Sequence, residues 1–284
     1  ILKKSIDAVP RQMTNVFVDD IHQAMQGKNG AKLGLDMYKA ALNLSTGLVE
    51  AGNIISPSKT HILASTKKLR DKLCRRLQRE NFHFSTRRNA KHLGLGITCG
   101  NRRCTVEIKH RFQKVKGRVS RIKMLHSINK KAGKLFNTGA SPQATYGKEG
   151  CGVSPSMMGS LRALAADAVS SKVRGQCATT SIHLHLGQAS DPSIKCLLDQ
   201  VRTWLDIREV GNPTKVAKAW WQCKDNFDKA TNKWNTIKGP MGGTIGMLYE
   251  NQWTPKTPYK WTDAEGHSWD IPQVGMYNQN PLLR

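Results

Sequence analysis

The feature that most constrains the fold of this chain is a stretch of apolar residues at helical spacing whose opposite face is strongly basic. The apolar positions between 105 and 136 step by four and three residues: Ile108, Phe112, Val115, Val119, Ile122 and Leu125. This pattern predicts a long helix that packs one stripe in a bundle. Gly117 and Gly133 weaken the pattern, so two shorter helices are the alternative. The opposite face carries Lys109, Arg111, Lys114, Lys116, Arg118, Arg121 and Lys123.

The positive charge of the chain is concentrated in and around this segment. Residues 67–134 contain 22 Lys and Arg and three acids, so about a quarter of the chain carries +19 of the net +25. Cations at this density repel one another unless a polyanion neutralises them, and the release of counterions from nucleic acid drives binding. The sequence therefore predicts contact with nucleic acid, and a solvated basic surface is the alternative.

Length, apolar runs and cysteines exclude several classes of protein. The 284 residues suffice for one large domain or two ordinary ones. No apolar run is long enough to span a bilayer, and the first residues lack the core of a signal peptide. Seven scattered cysteines predict reduced intracellular thiols and not a disulfide framework. The absence of targeting signals and the charge predict a protein of the nucleus or cytoplasm, not a secreted one. Because the chain begins with Ile1, we interpret it as part of a longer gene product.

The order of predicted elements indicates an α+β fold. A strand–turn–strand is predicted over 14–25, and short strands are predicted over 54–64 and 91–98. Residues 139–152 have the composition of a loop. The remaining predicted elements are helices over 31–50, 67–80, 105–136, 155–170 and 192–208. All seven tryptophans lie between 204 and 269, which predicts a separate Trp-rich module from 209 to 284. Those rings either stack on bases or anchor a core.

Two adjacent carboxylates, Asp19 and Asp20, fall at the tip of the first predicted hairpin. Like charges this close raise each other's proton affinity, and a divalent cation is the usual remedy. Mg²⁺ prefers one or two carboxylates together with substrate phosphates. An Asp-Asp pair is by itself more often a turn or a helix cap, so its meaning depends on the surrounding blocks.

Four blocks along the chain together resemble the reverse transcriptases of non-LTR (LINE-type) retrotransposons. Phe17-Val18-Asp19-Asp20 resembles the family's F/Y-x-D-D motif, and Ile55-Ser56-Pro57-Ser58-Lys59-Thr60 its I-N-x-x-K-T segment. His92-Leu93-Gly94-Leu95-Gly96-Ile97 is similar to the Y-L-G-x-x-I primer grip, and Ala144-Thr145-Tyr146-Gly147-Lys148-Glu149 to the L-Y-G-x-E segment. The blocks occur in the family's order and cover about residues 14–170. His92, Ser56 and Cys151 depart from the usual Tyr, Asn and Trp, as in a divergent or a decayed copy.

The resemblance implies the role of each block in an RNA-directed DNA polymerase. Asp19 and Asp20 would bind Mg²⁺ or Mn²⁺, with Asp19 the more direct ligand, for nucleotidyl transfer from deoxynucleoside triphosphates. Lys59 would stand near the leaving pyrophosphate, or is a surface lysine after a turn. His92, Leu93 and Gly94 would position the primer end, or form a plain core strand. The partners implied are an RNA template and a DNA primer, tracked by the basic face together with Lys130, Lys131 and Lys134.

The resemblance also implies an organisation and a limit. Residues 1–100 would form a partial polymerase palm, 101–208 a helical basic thumb, and 209–284 the Trp-rich module. Only 18 residues precede Asp19, so we expect the upstream metal-binding Asp to lie outside the chain and the chain alone to be nearly inactive. A non-catalytic nucleic-acid-binding protein and a decayed retroelement product are the alternatives. The sequence indicates neither membrane association nor an oligomeric state.

Overall fold

A computed structural model describes residues 9, 12–17, 20–100, 103–170 and 175–271. Within these ranges the protein is a mixture of helices and small sheets, in agreement with the predicted α+β class. The described residues of 1–90 and 97–101 form one compact unit, and those of 91–96 and 102–284 form another. No described helix is long and apolar enough to cross a membrane. All seven cysteines lie in the described ranges, and no disulfide joins any two of them.

The first unit begins with the predicted hairpin. Strands β1 (Met13–Phe17) and β2 (Asp20–Ala24) pair antiparallel along their whole length. Helix α1 (Gly30–Glu50) follows, where a helix was predicted over 31–50. Its start is capped by the Asn29 side chain, which accepts hydrogen bonds from the backbone of Ala31 and Lys32 at 3.0 and 3.1 Å. Its end is a Schellman motif, because Gly52 and Asn53 donate to Val49 and Leu48.

Helix α2 (Lys67–Arg79) confirms the second predicted helix and packs on α1. The two helices approach closely because Gly34 has no side chain: a Cβ there would lie 2.8 Å from Leu69. The strand predicted over 54–64 is wrong in extent. Only β3 (His61–Ile62) is extended, and it pairs parallel with β4 (Ser85–Thr86). The core of this unit is formed by Met37, Tyr38, Ala41, Leu42, Ile62, Leu73, Cys74, Leu77, Phe82 and Phe84.

The strand predicted over 91–98 is instead a hairpin of β5 (Asn89–His92) and β6 (Leu95–Thr98). Leu93 and Gly94 form its turn, with φ angles of 47° and 79°. Two consecutive positive φ values are the requirement of a two-residue hairpin turn of type I′. The apolar alternation through Leu93, Leu95 and Ile97 fits one strand equally well, and this is why the sequence pattern missed the turn.

The second unit is built on the basic helix, α3 (Val106–Ile128). The predicted apolar seam is buried from Ile108 to Ile122, but the last buried position is His126, while Leu125 is 49% exposed. The helix ends at Ile128, not near 136. A 3₁₀ turn (Lys130–Gly133) and a π turn (Phe136–Ala140) follow.

The segment 139–152, predicted as a loop, is largely helical and contains α4 (Ser141–Thr145) and α5 (Lys148–Cys151). The predicted helices over 155–170 and 192–208 are confirmed as α6 (Pro155–Val169) and α8 (Pro192–Val210). The sequence pattern missed α7 (Ala178–Leu186), α9 (Pro213–Lys229), α10 (Lys233–Thr236) and α11 (Gly239–Glu250). The last sheet orders β7 (Thr254–Pro255), β8 (Lys260–Thr262) and β9 (Ser268–Asp270) antiparallel.

Two cores hold the second unit together. One joins the seam of α3 to α6 through Phe112, Val119, Leu161 and Val169. The other contains three fully buried tryptophans, Trp204, Trp220 and Trp261. Trp204 and Trp220 lie 4.4 Å apart between ring centroids, and Trp220 stacks on Trp261 at 6.3 Å. This core spans the boundary expected at 208–209, since Trp204 belongs to α8 and its partners to the Trp-rich segment. Core anchoring is therefore confirmed for these three rings.

Candidate nucleic-acid and metal site

The acidic tip of the first hairpin is only partly described. Phe17 of β1 pairs with Asp20 of β2, so two residues, 18 and 19, connect the strands. Asp20 is exposed at this end of the hairpin, and its carboxylate is accessible to a cation. Asp19 lies outside the described residues. Within the ranges that are described, no three His, Cys, Asp or Glu side chains are grouped so that they could hold a metal ion. Mg²⁺ or Mn²⁺ binding by Asp19 and Asp20 therefore stays a prediction.

Lys59 lies in a tight turn after Ser56. Its backbone amide and that of Thr60 donate to the carbonyl oxygen of Ser56 at 3.3 and 3.0 Å, and the Thr60 hydroxyl donates to the same oxygen at 2.8 Å. The turn presents the Lys59 side chain to solvent. In the described part of the first unit, no ion pair joins Lys59 to Asp20. The role of Lys59 beside a leaving pyrophosphate stays a prediction.

The turn of the β5–β6 hairpin is held by two residues from distant parts of the second unit. The hydroxyl of Tyr146 donates to the carbonyl oxygen of Leu93 at 3.0 Å. Arg111, on α3, donates one guanidinium N–H to the carbonyl oxygen of Gly94 and another to that of Tyr146, the latter at 2.8 Å. The guanidinium also lies 4.6 Å from the centroid of the Tyr146 ring, a cation–π contact. We call Leu93, Gly94, Arg111, Tyr146 and Gly147 the turn clamp.

Gly147 completes the clamp because no side chain fits at its position. Its φ is 78°, in the left-handed region, and a Cβ there would lie 2.1 Å from a methyl carbon of Leu95. At Gly94 a Cβ would approach both Arg111 and Tyr146 to 3.1 Å. The sequence pattern singled out Leu93, Gly94, Tyr146 and Gly147 by resemblance but gave no signal that Arg111 joins them.

Some of the predicted nucleic-acid-binding side chains bond to other residues of the second unit, and the others are exposed without such a bond. Arg111 belongs to the turn clamp. Arg118 donates to Gly139 O at 3.2 Å and to Gln143 Oε1 at 3.0 Å. Lys123 forms a 2.6 Å ion pair with Asp167 of α6. Arg118 is nevertheless exposed. Among the described residues, the exposed cations that make no such internal bond are Lys109, Lys114, Lys116 and Arg121 of α3, and Lys130, Lys131 and Lys134 in the segment that follows it.

Asp191 and His126 are two buried groups of the second unit whose pKa values are shifted. Burial alone would raise the pKa of Asp191, but hydrogen bonds from Arg162 and Ser193 outweigh it and lower the pKa below its ordinary value. Arg162 forms a 2.9 Å ion pair with this carboxylate. Burial, together with the electrostatic influence of the neighbouring Lys130 and His185, lowers the pKa of His126. These groups are structural, because each is satisfied or shielded inside the unit.

Two histidines of the second unit belong to one short helix. His183 and His185 lie on helix α7. His183 approaches the carboxylate of Asp191 to 3.7 Å, and His185 contacts the His126 ring edge-to-face at 6.3 Å. Helix α7 is short, and its residues show no strong helical periodicity. The sequence pattern therefore did not predict it.

Comparison with known proteins gives no match to a family model, to a curated protein or to a solved structure.

Proposed function

We propose that this chain is a segment of an RNA-directed DNA polymerase of the non-LTR retrotransposon type. The turn clamp is the observation that supports the proposal most. Two of the four blocks that carry the resemblance, His92-Leu93-Gly94 and Tyr146-Gly147, are separated by 53 residues between Leu93 and Tyr146, yet they share a hydrogen bond. Arg111 of the basic helix joins both. Blocks selected from the sequence without knowledge of contacts thus meet in one place.

The proposed roles follow from the chemistry of the side chains. Asp19 and Asp20 would hold the divalent metal, which supplies activation of a primer 3′-hydroxyl and charge neutralisation at a triphosphate. Lys59 would stabilise negative charge on the leaving pyrophosphate. The turn at Leu93-Gly94, held rigid by the clamp, would position the primer end. The exposed cations of α3, including Lys114 and Arg121, would contact phosphates of the template–primer duplex without reading its sequence.

A second candidate is a nucleic-acid-binding protein without polymerase activity, whether functional or decayed. The exposed cations of α3 favour it, because they need only a polyanion and no metal site. The two candidates share the binding surface and differ in the role of Asp19 and Asp20. They are therefore separated by substitutions at the hairpin tip and not by binding alone.

The binding part of the proposal is tested with an RNA–DNA hybrid duplex. Lys114→Glu/Arg121→Glu should weaken binding by about tenfold, since log affinity depends on the number of phosphate contacts. The matched control is Lys256→Glu/Lys260→Glu, which makes the same charge change in the C-terminal sheet region. Equal affinities of these two variants would contradict the assignment of the duplex to α3.

The catalytic part is tested by primer extension on an RNA template with the natural gene product that contains this chain. Asp19→Asn and Asp20→Asn should abolish extension in Mg²⁺ while hybrid binding stays within about twofold of the parent. Asp36→Asn, at a carboxylate on α1, is the control and should retain extension. Extension that survives both hairpin substitutions would overturn the polymerase assignment. Binding without any extension by the parent would favour the second candidate.

A further inference from the structure

The exposed face of α2 carries a row of four cations that the proposed function does not use. Lys68, Lys72, Arg75 and Arg79 follow one another at steps of four, three and four residues, so they lie along one side of the helix. All four are exposed. At 1.5 Å per residue the row extends about 16 Å along the helix axis. We call these four residues the α2 row.

The charges of the α2 row are not neutralised within the described part of the chain. None of the four forms an ion pair there. Within the described residues, the row makes one side-chain hydrogen bond, from Arg75 to the backbone oxygen of Asp71 at 3.4 Å. The carboxylate of Asp71 itself faces Arg70, at 3.5 Å. The row is therefore free positive charge.

The other sides of α2 are occupied. Leu73, Cys74 and Leu77 are buried in the core of the first unit. Arg76 lies over the ring of Tyr38, 5.8 Å from its centroid. The exposed cations of α2 are thus the α2 row and Lys67, which lies off the row at the first position of the helix. No second exposed line of cations runs along the helix beside the row.

The α2 row opposes the stability of its own helix. Like charges three and four residues apart repel. Lys67 and Lys68 also occupy the first turn, which contains no acid and where the helix dipole disfavours cations. A bound polyanion would relieve both effects. Lys72 also lines a shallow cleft beside Gly30 and Ala31, at the start of α1, whose first turn likewise contains no acid.

We propose that the α2 row, on the first unit, binds the phosphate backbone of single-stranded nucleic acid. One line of evenly spaced cations matches one strand. A duplex presents two strands across grooves about 6 and 12 Å wide, and it would be contacted best by two lines of cations. Because the contacts are with phosphates, the site binds without sequence preference. The proposal stands whether or not the chain belongs to a polymerase.

The test compares two charge reversals of equal size. Lys72→Glu/Arg75→Glu changes the α2 row, and Lys215→Glu/Lys218→Glu is the matched control, with the same three-residue spacing at exposed positions of α9. Binding of a fluorescein-labelled 20-nucleotide oligouridylate is measured by anisotropy over a range of salt. The row variant should bind about tenfold more weakly, and its salt slope should fall by about 1.4, since each lost phosphate contact contributes about 0.7. The control should stay within about twofold of the parent.

Folding and site identity are controlled separately. Lys72→Gln/Arg75→Gln should weaken oligouridylate binding in the same direction but less. Neither row variant should unfold at lower urea than the parent, because both remove like-charge repulsion. On the RNA–DNA hybrid, the row variant should bind within about twofold of the parent, whereas Lys114→Glu/Arg121→Glu should not. Oligouridylate affinity equal to that of the control would overturn the proposal, and so would an equal loss on single strand and hybrid.

Discussion

The hydroxyl of Tyr146 donates a 3.0 Å hydrogen bond to the carbonyl oxygen of Leu93, across 53 residues of chain. Leu93 has a φ of 47°, which is unfavourable for a side chain of its size. The bond therefore stabilises a strained turn that the hairpin alone would hold poorly. Arg111 adds hydrogen bonds to Gly94 and to Tyr146 itself. The stability of the turn thus depends on two side chains that the hairpin does not contain.

Arg111→Gln should destabilise the second unit. The substitution removes charge-assisted hydrogen bonds to two carbonyl oxygens and a cation–π contact, and we expect the free energy of unfolding to fall by about 2 kcal/mol. Lys109→Gln, at an exposed position of the same helix, is the matched control and should change it by less than about 0.5 kcal/mol. Urea denaturation measures both. A similar stability of the two variants would show that Arg111 does not hold the turn.

Tyr146→Phe isolates one bond of the clamp. It removes only the hydroxyl, so we expect a loss of about 1 kcal/mol in urea denaturation. Amide exchange should accelerate at residues 93–96 and remain unchanged in α6. Exchange that accelerates evenly throughout the second unit would argue against a local role for Tyr146.

The sequence predicts an element correctly where its local pattern and its tertiary packing favour the same backbone structure. The hairpin β1–β2 and helix α1 were predicted because alternation, periodicity and capping residues point to the same structure. The turn at Leu93 was not predicted, because a leucine at positive φ contradicts the backbone preference of that residue type. The contacts of Arg111 and Tyr146 hold the turn in this conformation.

Helix α11 shows the same principle. Its four glycines, at 239, 242, 243 and 246, argue against a helix by propensity. A Cβ at Gly243 would lie 2.9 Å from the Gln200 side chain, and one at Gly246 would lie 2.3 Å from Ile237. Close packing thus requires glycine at 243 and 246, and tertiary contacts override the low helix propensity there. No reading of residues 239–250 alone could supply those neighbours.

The role of the candidate site stays a prediction, and the structure shows only which of its cations are exposed. Charge density indicated α3, and its exposed cations include Lys114 and Arg121 as expected. The sequence could not distinguish them from Lys123, whose partner Asp167 lies on another helix. The positions of Lys and Arg along α3 do not show which of them is paired with an acid. The acid that pairs with Lys123 comes from a different part of the chain, so the sequence of α3 alone carries no sign of it.

Gly147→Ala should be costly because the new methyl group has no space and the backbone is left-handed. A Cβ would lie 2.1 Å from a methyl carbon of Leu95. Rotation of Leu95 can relieve part of the overlap, but the positive φ adds about 1 kcal/mol or more, so we expect a total loss of about 2 kcal/mol. Gly150→Ala is the control, since nothing lies within 4 Å of a Cβ there. It should be neutral or slightly stabilising in urea denaturation.

His126 should make the second unit sensitive to mild acid. Burial, Lys130 and His185 lower its pKa from the ordinary 6.5, so the unfolded chain binds the proton more readily than the folded one. Stability is therefore complete above pH 6.5 and falls as the pH drops from 6.5 toward the lowered pKa. His126→Gln should flatten this dependence between pH 7.5 and 5.5, measured as the urea midpoint. His110→Gln, at an exposed position of α3, should retain the slope of the parent. Identical slopes for His126→Gln and the parent would exclude His126 as the source.

Asp191→Asn tests the most buried ion pair of the second unit. The Asp191 side chain is 2% exposed and accepts hydrogen bonds from Arg162 and from both the amide and the hydroxyl of Ser193. Because Arg162 is 28% exposed and partly solvated, we expect a loss of about 2–3 kcal/mol, below the usual cost of breaking a fully buried pair. The lowered pKa of Asp191 also places its contribution above pH 3.8, and it is lost as the pH falls further. The parent and the variant should accordingly converge in stability as the pH falls below 3.8 and through the lowered pKa, and a gap that does not narrow there would mean that the carboxylate acts through packing and not through charge. Asp225→Asn, at an exposed i,i+4 pair with Lys229 on α9, is the control and should change stability by less than about 0.5 kcal/mol.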